Sequence, residues 1–191
     1  MLHQLRYFGL LILLLWAPLS QAETIKVVLT TNLGEMMIEL YPDKAPKTVA
    51  NFLNYVDSGF YEGTIFHRVI DDFMVQGGGY SADFAKKPTQ AAIENEADNG
   101  LRNIIGTVAM ARTGDPHSAT SQFFINVANN SFLDFREKSP RAWGYAVFGR
   151  VVKGMSTLEA IKSTPTGAKG PFSKDVPLST VTIESIQRLQ E

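Results

Sequence analysis

Two adjoining segments of this chain set one arginine among aromatic, thioether and amide side chains. Residues 66–70 read FHRVI, and residues 73–78 read FMVQGG. The guanidinium of Arg68 is protonated at any physiological pH and offers a planar fork of hydrogen-bond donors. Aromatic faces and a thioether are suited to holding a small apolar ring. These residue types suit an apolar pocket with a permanent donor beside it, although each apolar residue taken alone is more often part of a core.

Three further blocks follow along the chain. The first of these joins residues 110–112, which read MAR, to residues 121–125, which read SQFFI about ten positions later. Residues 132–134 read FLD, and residues 145–149 read YAVFG. Taken together, the four blocks are similar in type, order and spacing to the signature segments of the cyclophilin family. The resemblance extends over essentially all of the chain after residue 22.

The resemblance implies a peptidyl-prolyl cis/trans isomerase, in which Arg68 is catalytic together with Phe73 and Gln76. The amides Gln76 and Gln122 would bond the substrate backbone or orient Arg68, and Ala111 and Arg112 would face the residue before proline. The substrate-binding set that the resemblance implies is Met74, Ala111, Arg112, Gln122, Phe124, Phe132, Leu133 and Tyr145. Proline-containing polypeptides are the expected substrates.

Accelerating rotation about an X–Pro bond requires only a modest amount of transition-state stabilisation from such a site. The barrier of about 18–20 kcal/mol comes from amide resonance, and no bond is broken. A thousandfold acceleration requires about 4 kcal/mol of transition-state stabilisation. One charge-assisted hydrogen bond contributes about 1.5–3 kcal/mol. An arginine that favours the twisted amide, aided by an apolar pocket, is therefore sufficient in principle.

Three positions depart from common family patterns. Phe132 stands where many eukaryotic members have tryptophan, so an indole N–H donor is lost. Tyr145 replaces a frequent histidine, and Arg112 replaces a common asparagine. The first two substitutions resemble the exported bacterial branch of the family. They are compatible with isomerase activity, and they predict weak binding of cyclosporin.

The elements that must position these residues are mostly short strands. Hydrophobic alternation and turn signals predict strands over residues 25–29, 35–41, 64–70, 73–76, 107–111, 122–127, 146–152 and 179–186. An amphipathic helix is predicted from Pro46 to about Gly59, and a shorter one from Met155. The glycines at 77–79 read as a turn. Periodicity leaves an antiparallel barrel and a sandwich open. The resemblance implies a closed eight-stranded antiparallel β-barrel capped by two α-helices.

The N-terminus has the pattern of a secretory signal. Arg6 precedes an apolar run over residues 10–19, and Ser20 and Ala22 fit the positions that signal peptidase reads. We expect cleavage after residue 22, leaving an isomerase domain over residues 23–191 that acts in the periplasm. An uncleaved N-terminal anchor is the alternative. After cleavage, no stable membrane insertion is expected.

The charge and the cysteine content of the chain exclude several other classes of protein. The net charge of −1 argues against nucleic-acid binding, and the absence of cysteine means that stability rests on packing without disulfides. No cofactor and no metal are expected, and a monomer is the expected state. His117, Ser118 and Asp115 suggest a hydrolytic triad, but neighbours in sequence rarely have that geometry. A non-catalytic proline-binding module is the rival from another class.

Overall fold

Residues 25–189 are described by a computed structural model, and they form ten strands and two α-helices. The predicted signal segment, residues 1–22, and its cleavage site lie outside the described residues. In chain order the elements are β1 (Ile25–Thr31), β2 (Gly34–Leu40), α1 (Pro46–Asp57), β3 (Thr64–Ile70), β4 (Met74–Ser81), β5 (Thr107–Met110), β6 (Phe123–Asn126), β7 (Val147–Lys153), α2 (Met155–Lys162), β8 (Thr166–Lys169), β9 (Phe172–Pro177) and β10 (Ile183–Arg188).

Eight of the strands form one antiparallel sheet in the order β10-β1-β2-β7-β5-β6-β4-β3. The two end strands approach each other, since Phe66 N–H donates to the Val181 carbonyl at 2.9 Å and Gly63 N–H to the Ile183 carbonyl at 2.9 Å. The sheet is thus a nearly closed barrel, and the predicted fold class is confirmed. The last barrel strand starts at Ile183, later than the predicted start at residue 179.

The barrel interior is filled by the inward-facing residues of these strands. In β1, for example, Val27 and Leu29 are fully buried and alternate with partly exposed neighbours. Helix α1 lies over one end of this core. Its Phe52 ring lies 5.6 Å from the Phe123 ring and 5.1 Å from the Phe148 ring, centroid to centroid. Helix α2 buries Leu158 and Ile161. Both helices were predicted from their apolar stripes.

Strands β5 and β6 are buried at every position, so both of their faces are covered. Along β6, Phe123 and Ile125 join the interior core, whereas Phe124 joins a second apolar cluster on the outer face. Met74 of β4 belongs to the same outer cluster. Because successive side chains of a strand point to opposite faces, a strand buried throughout must be covered on its outer side as well. A second apolar cluster therefore packs on the outer wall of the barrel.

One sequence expectation was wrong. Residues 77–79 do not form a turn but lie within β4, which pairs with β6 through Gly77 and Phe123. A β-carbon at Gly77 would lie 2.9 Å from the Ile65 carbonyl oxygen, and one at Gly78 would lie 2.9 Å from the Tyr61 ring. The glycines therefore allow neighbouring groups to pack closely against a continuous strand. A run of glycines in a sequence is compatible with this role as well as with a turn.

The structure also adds a hairpin that the sequence did not predict. Strands β8 and β9 form a separate two-stranded antiparallel sheet. The hairpin packs against β3 and β4, where the Phe172 ring lies 5.4 Å from the His67 ring and 5.3 Å from the Tyr80 ring, centroid to centroid. No helix in the described part of the chain is long and apolar enough to cross a membrane.

Candidate active site

The outer cluster supplies the floor of a pocket. Met74, Phe124 and Leu133 are 2%, 4% and 8% exposed, and Ala109 and Val147 are packed behind them. Met74 and Phe124 come from the neighbouring strands β4 and β6, while Leu133 comes from the turn of 3₁₀ helix at Ser131–Leu133. The floor is therefore held by rigid strands on one side and by a tight turn on the other.

Above this floor lies a cavity of about 120 Å³, about the size of one small ring. Its walls combine the apolar floor with two guanidinium groups, one amide and a phenol. The lining residues are Arg68, Phe73, Met74, Gln76, Ala111, Arg112, Phe124, Leu133 and Tyr145. Nine of the eleven residues singled out in the sequence thus surround one cavity.

The other two predicted residues, Gln122 and Phe132, lie next to the cavity without lining it. Gln122 immediately precedes β6 and accepts a hydrogen bond from Gln76 Nε2 at 3.0 Å. Phe132 is 61% exposed, and its ring stacks on Phe73 with centroids 5.6 Å apart and an interplanar angle of 27°. Phe132 therefore extends the apolar surface beyond the cavity rim.

Arg68 is positioned by the pairing of β3 with β4. The strand register places it opposite Gln76. Nη1 of Arg68 donates a hydrogen bond to Oε1 of Gln76 at 3.5 Å. Its Cζ lies 5.8 Å from the Phe73 ring centroid. Gln76 Nε2 in turn donates to Gln122 Oε1, so the three side chains form a chain of hydrogen bonds. One end of the guanidinium is thus tied to the protein, beside an apolar floor.

Arg112 is held on the opposite rim by different contacts. Its Nε donates to the Gly144 carbonyl at 3.0 Å, and its Nη1 donates to the Thr113 carbonyl at 2.9 Å. The guanidinium carbon lies 4.5 Å from the centroid of the Tyr145 ring, within cation–π distance. Tyr145 in turn meets Phe124 edge to face at 5.7 Å. Arg112 is therefore fixed relative to the pocket floor.

Asp175 is a site neighbour that the sequence did not reveal. Its Oδ2 lies 4.0 Å from Arg68 Nε, and its backbone has the left-handed φ of 65°. The residue belongs to β9, the hairpin strand that packs on β3. Nothing in the local sequence signals this contact, because it depends on the docking of a hairpin that has no clear strand pattern.

Neither histidine of the described residues, His67 or His117, lines the pocket. His67 is 4% exposed and packs between Tyr80 and Phe172; burial, with a smaller contribution from the Arg68 charge, lowers its pKa to about 4. His117 accepts the Asn95 N–H at Nδ1, at 3.1 Å. Ser118 Oγ donates to the Asp115 carbonyl rather than to an imidazole. The contacts of these side chains do not form a hydrolytic triad.

A larger groove elsewhere on the surface has a different character. A groove of about 1090 Å³ runs between the end of α1 and β10, and it contains the exposed ion pair of Asp57 with Arg188. Polar and charged side chains line much of it, alongside Val28, Val56, Ile186 and Leu189. Within residues 25–189, no cluster of three or more histidine or acidic residues could hold a metal ion. The small outer-wall cavity is the candidate active site.

Comparison with known proteins agrees with this fold. The family model for cyclophilin type peptidyl-prolyl cis-trans isomerases matches residues 26–188. The chain is 58% identical to the peptidyl-prolyl cis-trans isomerase cyp18 of Streptomyces antibioticus over 163 residues, 85% of this chain and 98% of that protein. It is 53% identical to peptidyl-prolyl cis-trans isomerase B of Escherichia coli (strain K12) over 160 residues, 84% of this chain and 97% of that one.

A solved structure shows the same fold. The cyclophilin type peptidyl-prolyl cis-trans isomerase of Cryptosporidium parvum matches with a TM-score of 0.72 and 27% identity, covering 88% of this chain and 99% of that one. The chain belongs to the cyclophilin family of peptidyl-prolyl cis-trans isomerases. The enzyme class expected from the four sequence blocks is therefore confirmed, and proline-containing peptides are its substrates.

Proposed function

We propose that the protein accelerates X–Pro rotation in folding proteins of the periplasm, with Arg68 stabilising the twisted amide. The prolyl ring occupies the cavity of about 120 Å³ and lies on Met74, Phe124 and Leu133. In the family's reaction only rotation is needed, so the site must favour the twisted state over both planar states. The single observation that carries the proposal is an arginine beside this apolar, ring-sized cavity.

The arginine acts through the electronic change that rotation causes. Twisting the amide ends resonance and localises a lone pair on the prolyl nitrogen. A donor from Arg68 to that nitrogen is strongest in the twisted state and opposes the return of resonance. Gln76 restrains the guanidinium through Nη1, and Gln122 restrains Gln76. Phe73 closes the pocket beside Arg68, with its ring 5.8 Å from the guanidinium carbon.

The substrate backbone is held by the remaining residues of the proposed set. Ala111 and Arg112 face the residue before proline, and Tyr145 forms the wall beneath Arg112. Phe132 supplies apolar surface outside the cavity by stacking on Phe73. In this account no group gains or loses a proton, and no cofactor or metal takes part.

The experiment that tests the catalytic proposal is a protease-free isomerisation assay. Purified protein spanning residues 23–191 is added to an X–Pro peptide, and cis/trans exchange is followed by NMR. We expect rapid exchange at catalytic enzyme concentrations, and replacing Phe124 with alanine should weaken it by removing the pocket floor. Binding of the peptide without accelerated exchange would contradict the proposal and favour a proline-binding module.

The cellular location is proposed from the N-terminal sequence. The apolar run over residues 10–19 is shorter than the roughly 20 residues that span a bilayer, and small residues precede Glu23. N-terminal sequencing of the protein recovered from the cell envelope should therefore begin at or near Glu23. An envelope protein that retains residues 1–22 would favour a membrane anchor.

The proposal also covers the oligomeric state of the mature protein and its affinity for cyclosporin. We expect the mature protein to be a monomer, which light scattering of the protein over residues 23–191 will test. We also expect weak cyclosporin binding, because Phe132 contributes an exposed ring without an N–H donor. Both expectations concern the protein without its first 22 residues.

A further inference from the structure

Arg112 brings a positive charge to the cavity. Among residues 25–189, the ion pairs within 4.0 Å do not include Arg112. Two of its five N–H groups donate to the carbonyls of Gly144 and Thr113. Three N–H groups remain for a ligand. The side chain thus has both unbalanced charge and spare donors.

The orientation of this side chain is already fixed before a substrate binds. Its two backbone contacts come from separate loop segments, and its planar face lies on the Tyr145 ring. A side chain that is held in place loses little conformational entropy when it binds a ligand. The guanidinium plane is also suited to a carboxylate, which it meets with two donors. These features are typical of a prepared anion contact.

The charge around the cavity is one-sided. Arg68 and Arg112 both line it, and its lining includes no acidic residue. The nearest carboxylate to Arg68 is that of Asp175, which lies outside the lining at 4.0 Å. A cleft walled by one sign of charge attracts ligands of the other sign and rejects ligands of the same sign.

We propose that Arg112 makes the enzyme selective for substrates with an acidic residue immediately before proline. This inference rests on the proposed function, in which the prolyl ring occupies the cavity and Arg112 faces the preceding residue. The acidic side chain contacts Arg112 equally in the planar and twisted states of the amide. Such uniform binding lowers KM and leaves kcat unchanged.

The test compares three peptides that differ only in having Glu, Gln or Lys before proline, at pH 7. For the Glu peptide we expect kcat/KM about fivefold above the Gln peptide, through KM alone, with the Lys peptide lowest. The preference should shrink at high ionic strength, because exposed ion pairs are screened. Arg112→Gln should make the three peptides equivalent. Arg150→Gln, at an exposed position on β7, should keep the preference.

The outcomes separate this inference from the proposed function. Equal kcat/KM for the three peptides in an active enzyme would overturn the role of Arg112 alone. Loss of activity on all three peptides in Arg112→Gln, by the same factor, would also overturn it and assign the residue a structural role. No acceleration of any peptide by the unaltered protein would instead overturn the proposed function.

Discussion

Asp175 Oδ2 lies 4.0 Å from Nε of Arg68, while Gln76 contacts Nη1 of the same guanidinium. The two contacts come from different elements, β9 and β4, and engage different nitrogens. Together they restrict how the guanidinium can rotate. The hairpin of β8 and β9 therefore contributes to the site, although none of its residues lines the cavity.

Asp175→Asn should lower kcat about two- to fivefold, the range of a partly exposed ion pair. Asparagine tolerates the left-handed φ of 65°, so the backbone should be kept while the charge is removed. The NMR signal of the Arg68 Nε–H should shift, and its exchange with water should become faster. Asp43→Asn, at an exposed turn position, is the matched control. An unchanged kcat and Nε–H signal would show that Asp175 does not position Arg68.

Gly79→Ala should reduce activity with little loss of stability. An added β-carbon would lie 2.7 Å from Nε2 of Gln122, so that flexible side chain must move. Its movement disturbs the chain of contacts from Gln122 through Gln76 to Arg68. Gly114→Ala is the matched control, because nothing lies within 4 Å of its added β-carbon. Kinetics and thermal unfolding are measured for both variants, and equal activities would argue against the relay.

The catalytic rate constant should be nearly constant from pH 6 to pH 8. His67, next to Arg68, has its pKa lowered to about 4 by burial and by the arginine charge, so it stays neutral throughout. A bell-shaped profile in this window would indicate acid–base chemistry instead.

The same histidine should make the fold sensitive to mild acid. In the unfolded chain the pKa of the His67 side chain is about 6.5. Below that pH the unfolded chain therefore takes up a proton that the folded chain does not. Stability is thus full above pH 6.5 and falls as the pH drops towards 4, by about 3 kcal/mol in total. Urea unfolding across this range tests it, and His67→Phe should flatten the dependence. Equal slopes for the two proteins would contradict the assignment.

Phe132→Trp should tighten cyclosporin binding by about five- to 150-fold, with little effect on isomerase activity. In family members with tryptophan at this position, the indole N–H is expected to donate to a macrocycle carbonyl. A buried carbonyl without its donor costs about 1–3 kcal/mol. Phe135→Trp, where the native ring lies 6.5 Å from Trp143, is the control. Equal inhibition of native and Phe132→Trp enzymes would shift attention to Arg112.

Much of the fold could be predicted because its signals are local. The alternation in β1 and the stripe of Val49, Phe52 and Val56 in α1 are periodic patterns that burial maintains. The hairpin of β8 and β9 has no such pattern, since β8 contains glycine and alanine and is partly exposed throughout. It is held by Phe172 against His67 and Tyr80, a contact between distant residues.

The sequence predicted which residues belong to the candidate site, but it did not predict how they are arranged. The four sequence blocks named the nine lining residues, but their convergence depends on strand pairings such as β4 with β6. Gln122 lies beside the cavity just before β6, and Phe132 lies beside it in the turn of 3₁₀ helix. Asp175 could not be identified, because its contact with Arg68 depends on how the hairpin docks.

The central claim is that Arg68 stabilises the twisted amide more than the bound planar peptide. The most direct test measures kcat and the peptide dissociation constant separately for Arg68→Ala, with thermal unfolding as the check on folding. We predict that kcat falls at least about tenfold while the dissociation constant changes little. Arg68→Lys should recover only part of kcat, because a point charge lacks the planar fork. A folded Arg68→Ala protein with full kcat would contradict the account.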